Sequence, residues 1–492
     1  MKCSLSKSRY CSAIQCPKML WLKDHKPDAY DPSCMNEAVL EKGHEVGDLA
    51  RGLFGAYKEV PYGAPEQMLS ITQQLIDEGA PVIAEASFAF DGLFCSVDIL
   101  KMLGGKDVAV YEVKSSTSVK PQYLQDAAFQ QYVLTALGYR VVSCNIVHLN
   151  NKYVRMGALD LQQLFTIVDV TSGTLALQPE VKANIDRIRT YMEQETEPAM
   201  QVGMHCSKPY DCGFFGYCTR DLPQPNIFNV MGPQEERKFA LCQKGIVSYQ
   251  DLADHDALTP RQMFPVLHEL HKKPPIIERD QIRAFLDGIT YPIYFFDFES
   301  YMSAIPPYDN THSNQHLVFQ YSLHILESED APLQHKEFLA QPGVDPRRAV
   351  AEQMCADIPR DVCILAWSKG FERGQVKALA DLFPDLSDHL MALYENFVDL
   401  RYPFQQRWYY CREMKGSDSI KAVLPALFPD DPTLDYHNLE GVNKGDKAAA
   451  GYGQMAQLSP EEQEALRKQL LAYCKLDTYA MVKILEKLRE LV

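Results

Sequence analysis

Two short acid-containing runs and one cysteine cluster in this 492-residue sequence offer chemistry that packing alone does not ask for. In DVAVYEVKSS, Glu112 and Lys114 stand two residues apart, so an extended strand turns both side chains to one face. A buried strand has no packing use for an acid and a base side by side. With Asp98, in the preceding run LFCSVDILKML, the set reads Asp-(n)-Glu-x-Lys. A metal-dependent phosphodiesterase requires such a set. Two carboxylates hold Mg²⁺ or Mn²⁺, the metal lowers the pKa of its bound water, and the lysine orients that water or stabilises developing negative charge. Glu85, in PVIAEASFAFDG, and His44, in NEAVLEKGHEVGDLARGLF, are the candidates to complete the ligand shell.

The second run is ITYPIYFFDFESYM, an apolar strand interrupted by Asp297 and Glu299, again two apart and on one face. Further on, Glu372 falls at a helix start in WSKGFERGQVKALADLFP. Tyr473 and Asp477 are four apart in LLAYCKLDTYAMVKILEKL, and so stack on one helical face. Asp399, in FVDLRYPF, is an alternative or additional ligand.

The third group is HCSKPYDCGFFGYC, with Cys206, Cys212 and Cys218 at intervals too wide for the paired short knuckles usual in zinc sites. Cys16, in SRYCSAIQCPKMLWL, is the best fourth donor, ahead of Cys11 and Cys34. Four thiolates hold either zinc or an iron–sulfur cluster; one distant cysteine plus a triplet suits a cluster that closes a domain like a clasp. Cys95, Cys144, Cys363 and Cys474 lie in apolar stretches and read as small hydrophobes.

These residues need elements to hold them. At 46% hydrophobic and 23% charged, the chain has an ordinary globular composition and a length for about two to four domains. No window approaches about 18 uninterrupted apolar residues and the N-terminus lacks a signal-like apolar core, so a soluble cytoplasmic protein without membrane contact is expected. A net charge of −16 argues against a protein that coats duplexes by phosphate neutralisation, but not against an enzyme whose carboxylates hold metal. Between Pro81 and Leu149 the pattern is strand, strand, strand, helix (PQYLQDAAFQQYVLTALG), strand. TRDLPQPNIFNVMGP reads as a linker, and 234–288 as polar helices around a Gly245-Ile246 turn. From Tyr291 strands and helices alternate, with a helix near Asp345–Ile358. In RYPFQQRWYYCREMKGSDSIKAVLPALFP, basic residues among Trp408, Tyr409 and Tyr410 suit either a single-strand stacking surface or a solvated hairpin.

Residues 1 to about 218 resemble a RecB-type nuclease domain of the PD-(D/E)XK superfamily, in the variety that also carries an iron–sulfur cluster. The resemblance rests on Cys16-Pro17 at a helix end, a helical His44, Asp98, Glu112-x-Lys114 and the closing triplet Cys206, Cys212, Cys218. The family's Gln-x-x-x-Tyr after the lysine strand has no clean match among Gln125, Gln130 and Tyr132, and the triplet is wider than in CRISPR-adaptation members. Residues from about 289 resemble the DEDDy exonucleases of the RNase H-like fold. In that resemblance Asp297 and Glu299 form motif one, Glu372 motif two (where the family has aspartate), and Tyr473 with Asp477 motif three. It implies two divalent metals about 4 Å apart, held by converging carboxylates, with the tyrosine positioning the nucleophilic water.

The pairing resembles a bacterial family of fused proteins. It implies a multidomain α/β chain: a restriction-endonuclease-like core over 1–218, a linker and helical connector over 219–288, and an RNase H-like exonuclease domain over 289–492. The implied activity is metal-dependent hydrolysis of DNA, single-stranded or with free ends, using Mg²⁺ or Mn²⁺. A structural [4Fe-4S] cluster would sit on Cys16, Cys206, Cys212 and Cys218, with zinc the alternative. Competing readings keep one site active, RNA being its substrate, or leave an inactive nucleic-acid-binding scaffold.

Overall fold

The structure, a computed structural model, describes residues 5–34 and 37–492. It is a multidomain α/β protein with two mixed sheets. The chain divides into two compact units. The first comprises Met1–Leu222, Gln234–Gly245 and Ser303–Asn314; the second comprises Pro223–Pro233, Ile246–Met302 and Gln315–Val492. The stretch 219–288, read from the sequence as one connector, is thus shared between the units. Among the described residues no helix is long and apolar enough to cross a membrane.

The first unit is built on seven strands: β1 (Leu5–Ser6), β2 (Lys58–Glu59), β3 (Val82–Phe90), β4 (Leu93–Gly104), β5 (Asp107–Lys114), β6 (Arg140–Leu149) and β7 (Phe165–Asp169). Their order is β2-β3-β4-β5-β6-β7, with β1 parallel to the start of β4 at Leu93 and Phe94. Asp91 and Gly92 take φ +47° and +75°, the geometry that closes a two-residue hairpin between β3 and β4. Helix α1 (Lys7–Gln15) is capped by Ser6, whose hydroxyl accepts from Arg9 N at 3.3 Å. Pro17 opens α2 (Pro17–His25), where its missing N–H costs nothing. Helix α3 (Glu37–Ala50) comes next, and α4 (Pro121–Ala136) carries the chain from β5 to the parallel strand β6. Ile83, Val97, Leu100, Val110, Phe129 and Ile146 are fully buried between sheet and helices.

The second unit holds β8 (Ile276–Ile277), β9 (Ile293–Met302), β10 (His316–Leu326), β11 (Gln334–Leu339), β12 (Cys363–Ala366), β13 (Phe397–Asp399) and β14 (Tyr409–Tyr410). Five of them form a sheet in the order β11-β10-β9-β12-β13. β10 is antiparallel to both neighbours, while β9, β12 and β13 run parallel. Three helices bring polar side chains toward this sheet: α5 (Gly370–Leu382) with Glu372, α6 (Ile420–Leu427) with Lys421, and α7 (Pro460–Glu490) with Tyr473 and Asp477. The long α7 starts at a capping box, Ser459 and Glu462 each satisfying the other's backbone N–H.

One expectation from the sequence is corrected by this arrangement. Tyr409 and Tyr410 pair with Ile277 and Ile276 and are only 8% and 2% exposed, so they are core residues and not a platform for bases. Arg407 lies over the Phe264 ring at 4.2 Å, and Arg401 is tied to Asp418 at 2.6 Å. The Gly245-Ile246 turn lies where the sequence puts it, closing the helix Glu235–Gln243, with Gly245 at φ +78°.

Candidate active sites

In the first unit, sheet register brings the predicted acids into a row. Ala84 pairs with Ile99 and Ala86 with Val97, so Glu85 lies across from Asp98. One step beyond the Ile99–Tyr111 pair, Asp98 lies across from Glu112. Glu85 itself has φ +55°, a left-handed conformation inside a strand, and its carboxylate turns to Arg51 at 3.3 Å. Asp98 accepts the N–H of Val113 at 2.7 Å.

Glu112 is the hub. It is 2% exposed and accepts from Lys7 Nζ at 2.8 and 3.0 Å, from Lys114 Nζ at 2.8 Å and from the amide of Gln130. Lys114 also donates to Asp126 at 2.6 Å, and Cys11 Sγ donates to the other oxygen of Asp126 at 2.7 Å. Burial alone would raise the Glu112 carboxyl, but the two ammonium groups override it and hold it at about 2. Asp98 is pushed the opposite way, to about 7, by burial and then by the Glu112 charge. Of the residues named from sequence, His44 stands exposed on α3, and among the described residues no hydrogen bond or ion pair joins it to this row. Lys7, Asp126 and Cys11 carry no sequence signal that assigns them to this site. Helix α4 turns Gln130 onto Glu112, whereas Gln125 accepts from Tyr10 at 3.1 Å.

In the second unit the carboxylates meet at the ends of the parallel strands. Asp297 follows the last β9–β12 pair, Phe295 with Leu365; β12 leads to Glu372 on α5, and β13 ends at Asp399. This is where open α/β sheets bind ligands. From the other side α7 supplies Tyr473, Cys474 and Asp477. Donor atoms of Asp297, Glu299 and Cys474 lie within 4.8 Å of one another. Cys474, expected to be a plain hydrophobe, has its Sγ 4.0 Å from Asp297 Oδ2. Tyr436 donates to Asp477 at 2.6 Å, and Lys421 on α6 donates to the Tyr473 hydroxyl at 3.3 Å. Asp399 accepts the N–H groups of Ser368 and Arg401, both at 3.0 Å, which fixes the loop ahead of Glu372.

The electrostatics of this cluster differ from those of the first. Burial and the charges of Asp477, Glu299 and Glu372 push Asp297 well up, and burial with Asp477 does the same to Glu299. Burial and Asp399 raise Glu372 to about 8, against help from its own backbone N–H; one of its oxygens is buried with no partner. Asp477 rises to about 6, burial outweighing the Tyr436 bond, Lys421 and Tyr473. So many buried acids with one nearby ammonium are short of positive charge, and the donor set is the oxygen-rich kind that Mg²⁺ or Mn²⁺ takes.

A pH dependence results. These acids bind protons more tightly folded than unfolded, so their contribution to stability is present at low pH and lost as pH rises through about 6 for Asp477 and about 8 for Glu372. In chelator, the melting temperature of the second unit should fall between pH 6 and pH 8.5 by on the order of 5 °C. Mn²⁺ should restore more of it at the higher pH. A chelated protein whose melting point is flat or rising over that range contradicts the assignment.

The four predicted cysteines also come together. Cys16, Cys206, Cys212 and Cys218 line one small cavity with Met200 and Phe214. Burial raises all four thiols, Cys206 to about 11. Cys11 and Cys34 go elsewhere, to Asp126 and to Tyr30. Gly213 lies under Tyr30, where an added Cβ would come 2.5 Å from the ring, so only glycine fits between Cys212 and Phe214.

A family profile described as a domain of unknown function (DUF2779) matches residues 294–419. No curated protein matches the chain. Among solved structures, an alkaline exonuclease (LHK-Exo) from Laribacter hongkongensis aligns at 17% identity over 32% of this chain and 72% of that chain, with a TM-score of 0.19. LHK-Exo in complex with dAMP aligns at 16% identity over 38% of this chain and 89% of that chain, with a TM-score of 0.23. At scores this low neither alignment bears on the fold or activity of this chain.

Proposed function

We infer that this chain is a metal-dependent nuclease that hydrolyses DNA phosphodiester bonds, single-stranded or with free ends, at two centres, one in each unit. The observation that carries the reading is the convergence of Asp297, Glu299, Glu372 and Asp477 from three separate elements on one buried, cation-poor point. Left without a cation, such a cluster only costs stability. The strand order β11-β10-β9-β12-β13, with β10 alone reversed, supports an RNase H-like reading of the second unit. The row Glu85, Asp98, Glu112 with Lys114 supports a PD-(D/E)XK-like reading of the first.

Divalent cations at these acids would supply charge stabilisation to the attacking and leaving oxygens of an in-line displacement. The chain's own residues do the rest. Tyr473, held by Lys421, presents its hydroxyl to orient the attacking water in the second unit. In the first unit Lys114, fixed between Glu112 and Asp126, holds the water facing the phosphate. Water oxygen bonds to phosphorus and gives up a proton to solvent as the P–O bond breaks, and the leaving oxygen takes up a proton from solvent. End-labelled single- and double-stranded DNA incubated with Mn²⁺ or with chelator tests the reading; a protein that cuts neither in Mn²⁺ is not this enzyme.

The four cysteines fit an iron–sulfur cluster better than zinc. Cys206, Cys212 and Cys218 are spaced too widely for the paired short knuckles usual in zinc sites, and Cys16 lines the same small cavity as the triplet. A cluster there would act as a clasp joining α2 to the 206–218 segment, with no redox step in the hydrolysis. Cys16→Ser should abolish the visible absorbance of the anaerobically purified protein and lower the first unit's melting point by about 10 °C or more. Unchanged colour and melting point would remove Cys16 from the ligand set.

A further inference from the structure

We propose that Lys7 is a second functional lysine of the first unit's site, neutralising Glu112 in the metal-free protein and exchanging it for a substrate phosphate when a divalent cation takes Glu112. The inference rests on the nuclease reading above. Lys7 Nζ contacts both oxygens of Glu112, at 2.8 and 3.0 Å, while Lys114 and Gln130 take one each. Glu112 therefore has no oxygen left for a cation unless one donor withdraws. Lys114 is held a second time, by Asp126 at 2.6 Å, and Gln130 is fully buried on α4. Lys7 has Glu112 as its only ion-pair partner among the described residues, and its side chain is 21% exposed, so it can leave. It will not travel far, because its backbone is pinned on one side by β1 against β4 and on the other by the Ser6 cap. The displaced ammonium stays within a side chain's reach of the row of acids, where an anionic phosphate needs a cation. A charge that is spent on Glu112 before the cation arrives and free afterwards couples substrate binding to metal loading.

The test uses the full chain with Asp297→Ala and Glu299→Ala in every sample, which cripples the second site, so that a difference made at Lys7 reports the first. Mn²⁺ affinity is measured by calorimetry, and affinity for a short single-stranded DNA is measured in Ca²⁺ and in chelator, with Lys7 or Lys7→Met. The exchange predicts opposite changes: Mn²⁺ binds about tenfold tighter to Lys7→Met, and DNA in Ca²⁺ binds about tenfold weaker. DNA affinity in chelator stays the same. Lys7→Arg recovers the DNA affinity. Misfolding would weaken both affinities together, so circular dichroism and the melting point are compared first. Mn²⁺ affinity that is unchanged or weaker overturns the exchange, as does DNA binding in Ca²⁺ that ignores the substitution. Neither readout needs turnover: a Lys7 protein that gives the expected shifts but never cuts DNA counts against the nuclease reading alone.

Discussion

Asp297→Asn lowers cleavage by the second unit's centre at least about 10³-fold and leaves the chelated protein more stable than the wild type. Both halves follow from the same crowding. The side chain sits with Glu299 and Cys474 inside 4.8 Å, and its charge is opposed by burial and by three other acids. Asparagine keeps the shape and the packing but has no charge to offer a cation. Without a cation it also removes a buried carboxyl whose ionisation the fold opposes, a gain of about 1 kcal/mol or more. The rate is read on end-labelled DNA with Mn²⁺ in a Glu112→Gln background, so that the first unit is silent; the melting point is read in chelator on the single variant. More than a tenth of the activity remaining, or a lower melting point, would refute the assignment.

Glu112→Gln has the opposite sign on stability. It silences the first unit's centre by a similar factor, yet it destabilises that unit by about 3–5 kcal/mol. The carboxylate is the anion on which Lys7 and Lys114 both close, and the amide takes from Lys7 its ion-pair partner and from Lys114 one of two. Linkage gives an independent check. Glu112 is held at about 2 when folded, below its unfolded value, so its stabilising contribution is full above about pH 4.5 and is lost as pH falls toward 2. The wild-type first unit should therefore lose stability in acid faster than the Glu112→Gln protein. A variant that melts with the wild type, or parallel acid profiles, would show that Glu112 is not the hub.

The parts of these sites that could be read in the sequence are those set by local geometry. Glu112 with Lys114, and Asp297 with Glu299, share a face because strand side chains repeat every second residue. Tyr473 and Asp477 share one because a helix turns in 3.6. Hairpins and the Pro-opened helix between β5 and β6 likewise lie where turn residues and apolar runs put them. What could not be read depends on tertiary contact. Lys7 lies 105 residues from Glu112, and the pairing of β1 with β4 helps to bring it there. Tyr436 is 41 residues before Asp477 in an irregular stretch with no periodicity to betray it. Cys474 sits in a run whose composition says core, and it is core, but its sulfur faces the acids. Tyr409 and Tyr410 misled for the reverse reason: aromatics beside arginines look like a nucleic-acid surface until a two-residue ribbon buries them.

The path of the chain constrains how the two centres can be inherited. It passes from one unit to the other after residues 222, 233, 245, 302 and 314, the last two bracketing an excursion between neighbouring strands β9 and β10. No single cut in the gene releases either half intact, since a break at any one crossing strands a piece of one unit in the other's fragment. Substituting an acid would silence one proposed centre and leave both units whole, whereas deleting a segment at a crossing would truncate a unit.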